Sequence, residues 1–109
     1  MARQYLSATT NASRVLGQQL AAARRTQRRT ADEVAERVGT SRPTLRRIER
    51  GDPTVAIGLY FEVAVVLSVP LFGRQGAELA ELAAQGAREL ALLPNRVRST
   101  TTDEVDDAF

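Results

Sequence analysis

Four residues in the short stretch between Gly39 and Gly51 could do chemistry on a polyanion: Arg42, Thr44, Arg46 and Arg47. A guanidinium carries five N–H donors in a rigid fork, which matches phosphate oxygens and the O6/N7 edge of guanine. Leu45 and Ile48 share the inner face of a helix, so Arg42, Thr44, Arg46 and Arg47 fall mostly on its outer faces. One well-placed arginine–guanine pair is worth about 1–3 kcal/mol of discrimination. On an unsupported helix the same residues would be a solvated cationic face. Everything turns on the elements that position them.

The charge is divided along the chain. Residues 1–51 hold 11 of the 15 basic residues and 4 of the 13 acidic ones, a balance of +7 within a net charge of +2. Residues 52–109 hold 4 and 9, a balance of −5. A basic half joined to an acidic half implies one surface for a polyanion and another for something else. Cysteine and histidine are absent. That removes disulfides, the commonest metal ligands and the commonest general acid–base side chain, so no metal, no cofactor and no enzyme activity is expected. The N-terminal residues are polar, and the longest apolar run, Val63 to Leu67, is far short of the roughly 20 residues of a membrane span. The reading is a cytoplasmic protein without a membrane partner.

Helical signals follow one another in short order. Residues 1–12 read as a disordered N-terminus. A first helix is expected from about Ser13 to Arg25, with Leu16, Leu20 and Ala23 on one face. Thr30-Ala-Asp-Glu33 is a capping box opening a second helix, whose inner face carries Val34, Ala35 and Val38. Gly39 ends it in a left-handed conformation. Ser41 is an N-cap, Pro43 fits the first turn of a third helix, and Gly51 stops it. A fourth, almost wholly apolar helix runs from residue 55 or 56 to Leu67. Residues from about Gln75 to Leu93 repeat apolar side chains at helical spacing, although Gly86 could split them in two. The fold class is all-α: a compact bundle of four to five helices, with domain limits at 13–69, a helical extension over 70–94 and an acidic tail over 95–109.

Two short helices joined by a tight turn at Gly39, between longer apolar helices, make a helix-turn-helix pattern. Residues 16–68 resemble the Xre-type helix-turn-helix domain of phage repressors and bacterial regulators, most closely over Ala31 to Gly51. The resemblance implies that Arg24, late in the first helix, pairs with Glu49 at the end of the third as a structural pair. It also implies that the third helix enters a DNA major groove, with Arg42, Thr44, Arg46 and Arg47 as base readers. Phosphate contacts are then expected from Arg28, Arg29 and Arg50, and from helix starts at Thr30, Ala31, Thr40 and Ser41, where free amides and the helix dipole favour anions. Solvated loop charges and simple capping are the competing readings of these residues.

A narrower resemblance covers residues 42–53, the apolar helix after them, and the segment Leu92 to Arg98 followed by acids and Phe109. These are similar to HipB-like antitoxins. That similarity implies a dimer bound to a palindromic double-stranded operator, repression of its own operon, and a HipA-like kinase toxin as partner. The alternative is a stand-alone Xre regulator without a toxin. A third reading is a protein-interaction module that no longer binds DNA; the arginines kept on the third helix argue against it. Leu59, Phe61, Val63, Val66, Leu79, Leu82 and Leu90 are expected to be divided between core and homodimer surface. The acidic tail reads three ways: a solubilising end, a docking motif anchored by Phe109, or a competitor for the DNA face.

Overall fold

The computed structural model describes residues 3–97. Five helices are formed among them: α1 (Ser7–Thr26), α2 (Ala31–Val38), α3 (Arg42–Glu49), α4 (Ile57–Val66) and α5 (Ala77–Ala91). The chain divides into two units, Met1–Gly76 with the first four helices and Ala77–Phe109 with α5. The acidic run from Asp103 to Phe109 lies outside the described residues.

In the first unit, α3 packs against both α1 and α2, and α4 covers the same two helices. Leu20, Val34, Leu45, Ile48, Val63 and Leu67 are fully buried and form the centre of the core. Each such side chain contributes about 1.5–3 kcal/mol through removal from water. The expected inner faces are therefore the observed ones for α2 and α3. Among the fourth-helix residues expected to be shared between core and interface, Val63 belongs wholly to the core. Leu59, Phe61 and Val66 are half-buried, and Phe61 meets Phe72 edge-on, with ring centroids 6.1 Å apart.

The turn between α2 and α3 has the expected form. Gly39 sits at φ 84° and ψ 31°, and its N–H reaches the carbonyls of Ala35 and Glu36. Thr30 and Glu33 form both halves of the capping box. The Ser41 hydroxyl accepts the Thr44 amide at 3.2 Å. These local contacts set where α2 stops and α3 begins.

The N-terminal expectation needs correction. Residues 7–12 are the first turns of α1 rather than part of a disordered segment. The sequence Ser-Ala-Thr-Thr-Asn-Ala has weak helix propensity and no apolar periodicity, so only tertiary contact supports it. That contact is visible. The Ser13 hydroxyl donates to the Gly51 carbonyl at 2.7 Å. Thr9, Ala12 and Leu16 line an apolar hollow of about 290 Å³ with Val55, Ile57 and Tyr60. Residues 77–91 form one helix through Gly86, so the possible split does not occur. On α5, Leu79 and Leu82 are half-buried and Leu90 is exposed.

The backbones of α1 and the end of α3 approach each other closely. A Cβ on Gly17 would collide with the Ile48 carbonyl oxygen and lie 2.8 Å from the Gly51 amide nitrogen. Gly17→Ala is therefore expected to destabilise the fold by about 1–3 kcal/mol, because backbone must move to admit a methyl group. Gly86→Ala, with open space beyond its own helix at the added carbon, is expected to raise helix content. Chemical denaturation of the first variant and circular dichroism of the second check both.

Candidate nucleic-acid interface

One guanidinium holds the C-terminal end of the third helix. Arg24, near the end of α1, donates from Nε to Glu49 Oε2 at 2.7 Å and from Nη2 to Glu49 Oε1 at 3.1 Å. Its Nη1 donates to the Arg29 carbonyl at 3.0 Å. The two side chains are only 14% and 11% exposed. Arg24 titrates above its ordinary range because of the hydrogen bond to Glu49, with burial working against it. The fork geometry pins the C-terminal end of α3 to α1 and to the loop before α2. Arg24 and Glu49 are joined as the resemblance implies.

Clamped in this way, α3 turns its arginines outward to unequal degrees. Arg42 and Arg46 are exposed. Arg42 lies 3.6 Å from Asp32, an exposed pair of small energetic value. Among the described residues, nothing holds the guanidinium of Arg46 or that of Arg50. Thr44 is half-buried, and its oxygen accepts the Ser41 hydroxyl at 3.0 Å. Arg42, Arg46 and Arg50 line a concavity of about 560 Å³ with Arg24, Arg25 and the opening of α2 at Thr30 and Ala31. Glu49 also lines it but is taken up by Arg24. The concavity is strongly positive and faces the first turn of α2, whose Asp32 and Glu33 balance the helix dipole.

Arg47 stands apart from this group. Its Nε donates to Asp52 Oδ2 at 2.9 Å and its Nη2 to Thr54 Oγ1 at 2.8 Å. Thr54 returns to the same carboxylate through its amide at 2.9 Å and its hydroxyl at 2.6 Å. The Tyr60 hydroxyl donates to the Asp52 carbonyl at 2.7 Å, tying the loop to α4. The Asp52 carboxyl is lowered to about 2 by the Thr54 hydroxyl and amide and then by Arg47. Burial, and then the Asp52 charge, push Tyr60 up to about 12.

Two other loop residues reach the end of α4. Arg29 Nη1 donates to the Val66 carbonyl at 3.2 Å, and Gln27 Nε2 to the Leu67 carbonyl at 2.7 Å. Both cap the C-terminal end of α4, which satisfies carbonyls that the helix itself leaves open. The exposed cation expected at Arg29 is thus a half-buried cap. Arg28 is exposed, with a left-handed backbone at φ 58°. It lines a separate hollow of mixed charge with Arg29, Glu33, Glu36 and Arg37. Thr40 is half-buried and Ser41 exposed at the α3 start.

The Asp52–Thr54 contacts and the α4 caps were not read from the sequence. Asp52-Pro-Thr54 carries a turn signal, and Asx-type turns bring a carboxylate onto an amide two residues on. That signal does not say which arginine the carboxylate meets. The helical caps at Gln27 and Arg29 have no local signal, since their acceptors lie some forty residues away.

A helix-turn-helix domain model matches residues 15–82, more than half of the chain. No curated protein and no solved structure matches it. Among the described residues, no helix is long and apolar enough to cross a membrane.

Removing one side of the Arg24 clamp leaves a partly buried charge unpaired. Glu49→Ala is expected to cost about 3 kcal/mol, the lower end of the range for breaking a buried pair, measurable as a shift in denaturant midpoint. Asp52 gives a pH dependence. Its folded pKa lies below the ordinary 3.8, so its stabilisation is complete above about pH 4 and is lost as pH falls toward about 2. In Asp52→Asn, the fall in melting temperature between pH 4 and pH 2 should be shallower than in the wild type.

Proposed function

Because the chain belongs to the helix-turn-helix domain family, we propose that it is a dimeric, sequence-specific DNA-binding transcriptional regulator. The observation that carries the reading is the outward row of arginines on a clamped α3, beside a positive concavity that continues to the α2 start. In this reading α3 enters the major groove and Arg42, Thr44, Arg46 and Arg47 reach base edges. Arg50 and Arg28 contact phosphates, with the Thr30, Ala31, Thr40 and Ser41 segments close to the backbone of the duplex. Arg25, which lines the same concavity, takes the phosphate role expected of Arg29, whose guanidinium caps α4.

A homodimer would place two such helices about 34 Å apart on a palindromic operator. In the first unit the exposed Ile57 and Val65 of α4 offer apolar surface for it; in the second, Leu79, Leu82 and Leu90 of α5 do. The finer reading is an antitoxin that represses its own operon and neutralises a HipA-like kinase toxin. It rests on the similarity of residues 42–53 and 92–98 to HipB-like antitoxins and on the acidic run ending in Phe109. The alternative, a stand-alone regulator, differs in having no neighbouring toxin. Co-purification with the product of the adjacent gene is the expected outcome for the antitoxin.

Binding to the DNA upstream of the gene tests the main reading. Arg46→Ala and Arg42→Ala are each expected to weaken binding about tenfold, the middle of the range for an arginine–base contact. Replacing Arg25 and Arg50 together with alanine should weaken binding to all sequences and reduce the salt slope by about 2. If a folded protein lacking all four of these arginines binds that DNA as tightly as the wild type, the reading fails.

A further inference from the structure

We propose that Asp52, with Thr54, is the positioning residue that sets Arg47 for base recognition. The inference rests on the DNA-binding reading above and adds to it a specificity device lying outside α3.

Asp52 follows the helix and would count, on charge alone, as a group that repels DNA. Its carboxylate is instead fully engaged. One oxygen takes the Arg47 Nε–H at 2.9 Å; the other accepts the Thr54 amide at 2.9 Å and hydroxyl at 2.6 Å. Thr54 in turn accepts from Arg47 Nη2 at 2.8 Å. The loop itself is anchored by the Tyr60 hydroxyl on the Asp52 carbonyl, with Tyr60 buried in the core. The chain of contacts therefore runs from the core through Tyr60, Asp52 and Thr54 to the guanidinium.

The geometry leaves Arg47 with the right half of its donors. The Nε–Nη2 edge is spent on Asp52 and Thr54. Both hydrogens on Nη1 and one on Nη2 remain; of these, one on Nη1 and the one on Nη2 lie parallel and form the second edge of the fork. A parallel N–H pair is what guanine O6 and N7 accept. A free arginine gives up rotamer entropy when it docks; one already held by a carboxylate gives up less. The nearby negative charge also disfavours phosphate approach, so the latch selects base contact over backbone contact.

The experiment uses the full-length chain and a duplex selected by it from a random-sequence pool, with each guanine then replaced singly. Specific and non-specific affinities are measured for wild type, Asp52→Asn, Thr54→Val, Arg47→Ala and the Asp52→Asn/Arg47→Ala pair, with melting curves to confirm folding. In Asp52→Asn, discrimination at the guanine read by Arg47 is expected to fall about three- to tenfold, the range for one immobilised side chain. Thr54→Val should show the same loss more weakly, and Asp52→Asn should add nothing once Arg47 is alanine. Non-specific affinity should be unchanged or rise as the negative charge is removed.

The inference is overturned if Asp52→Asn retains full discrimination while Arg47→Ala loses it. It is equally overturned if both Asp52→Asn and Thr54→Val weaken every duplex alike, or if Arg47→Ala retains full discrimination. In those three cases DNA binding itself stands. If the pool yields no preferred sequence, the proposed function and this inference fall together.

Discussion

The bidentate contact between Arg24 and Glu49 is the constraint on which the rest of the fold depends. An eight-residue helix is too short to be stable by itself. Its position must come from packing and from what holds its ends. One end is held by the Ser41 cap and Pro43, and the other by Arg24. The same guanidinium reaches the Arg29 carbonyl, so a single side chain joins α1, the loop before α2, and α3. Gly17 lets α1 come against the backbone at Ile48 and Gly51, where any side chain would push α3 away. The outward aim of Arg42 and Arg46 follows from these contacts.

The arginines of the basic half do different work because different acceptors lie within their reach. Arg24 meets a carboxylate and a carbonyl, Arg29 meets the open end of α4, and Arg47 meets Asp52 and Thr54. Among the described residues, Arg25, Arg46 and Arg50 have no such acceptor, and Arg42 has only the exposed Asp32 carboxylate at 3.6 Å. Carbonyls at a helix end and carboxylates in a turn capture some cations, and the remainder form the charged concavity. A count of charges along the chain cannot make this division.

The apolar surface divides in a similar way. Tyr60, Val63, Ala64 and Leu67 recur at helical spacing and face the core, while Ile57 and Val65 of the same helix are exposed. In the second unit, α5 has no buried residue, and Leu90, Leu92 and Leu93 are exposed. Each set is apolar surface left in water, which costs free energy wherever it is contiguous.

Local chemistry made much of this legible in the sequence. The capping box at Thr30, the left-handed Gly39, the Ser41 cap and the inward spacing of Leu45 and Ile48 each act over four residues or fewer. They appear in the structure as read, and the all-α architecture with them, although α1 begins six residues earlier than its periodicity indicates. The same spacing puts residues 42, 44, 46 and 47 on α3, and the family resemblance pairs Arg24 with Glu49. Contacts between distant segments decided the remainder. The first two turns of α1 exist because Ser13 and the side chains near it pack on the loop after α3, not because of their own propensity. Arg29 became a cap because α4 ends beside it. Arg47 became latched because the turn after α3 folds Asp52 and Thr54 back onto it. Composition and periodicity report what a segment favours alone; which acceptor a long, flexible guanidinium finds is settled only when the chain has brought that acceptor near.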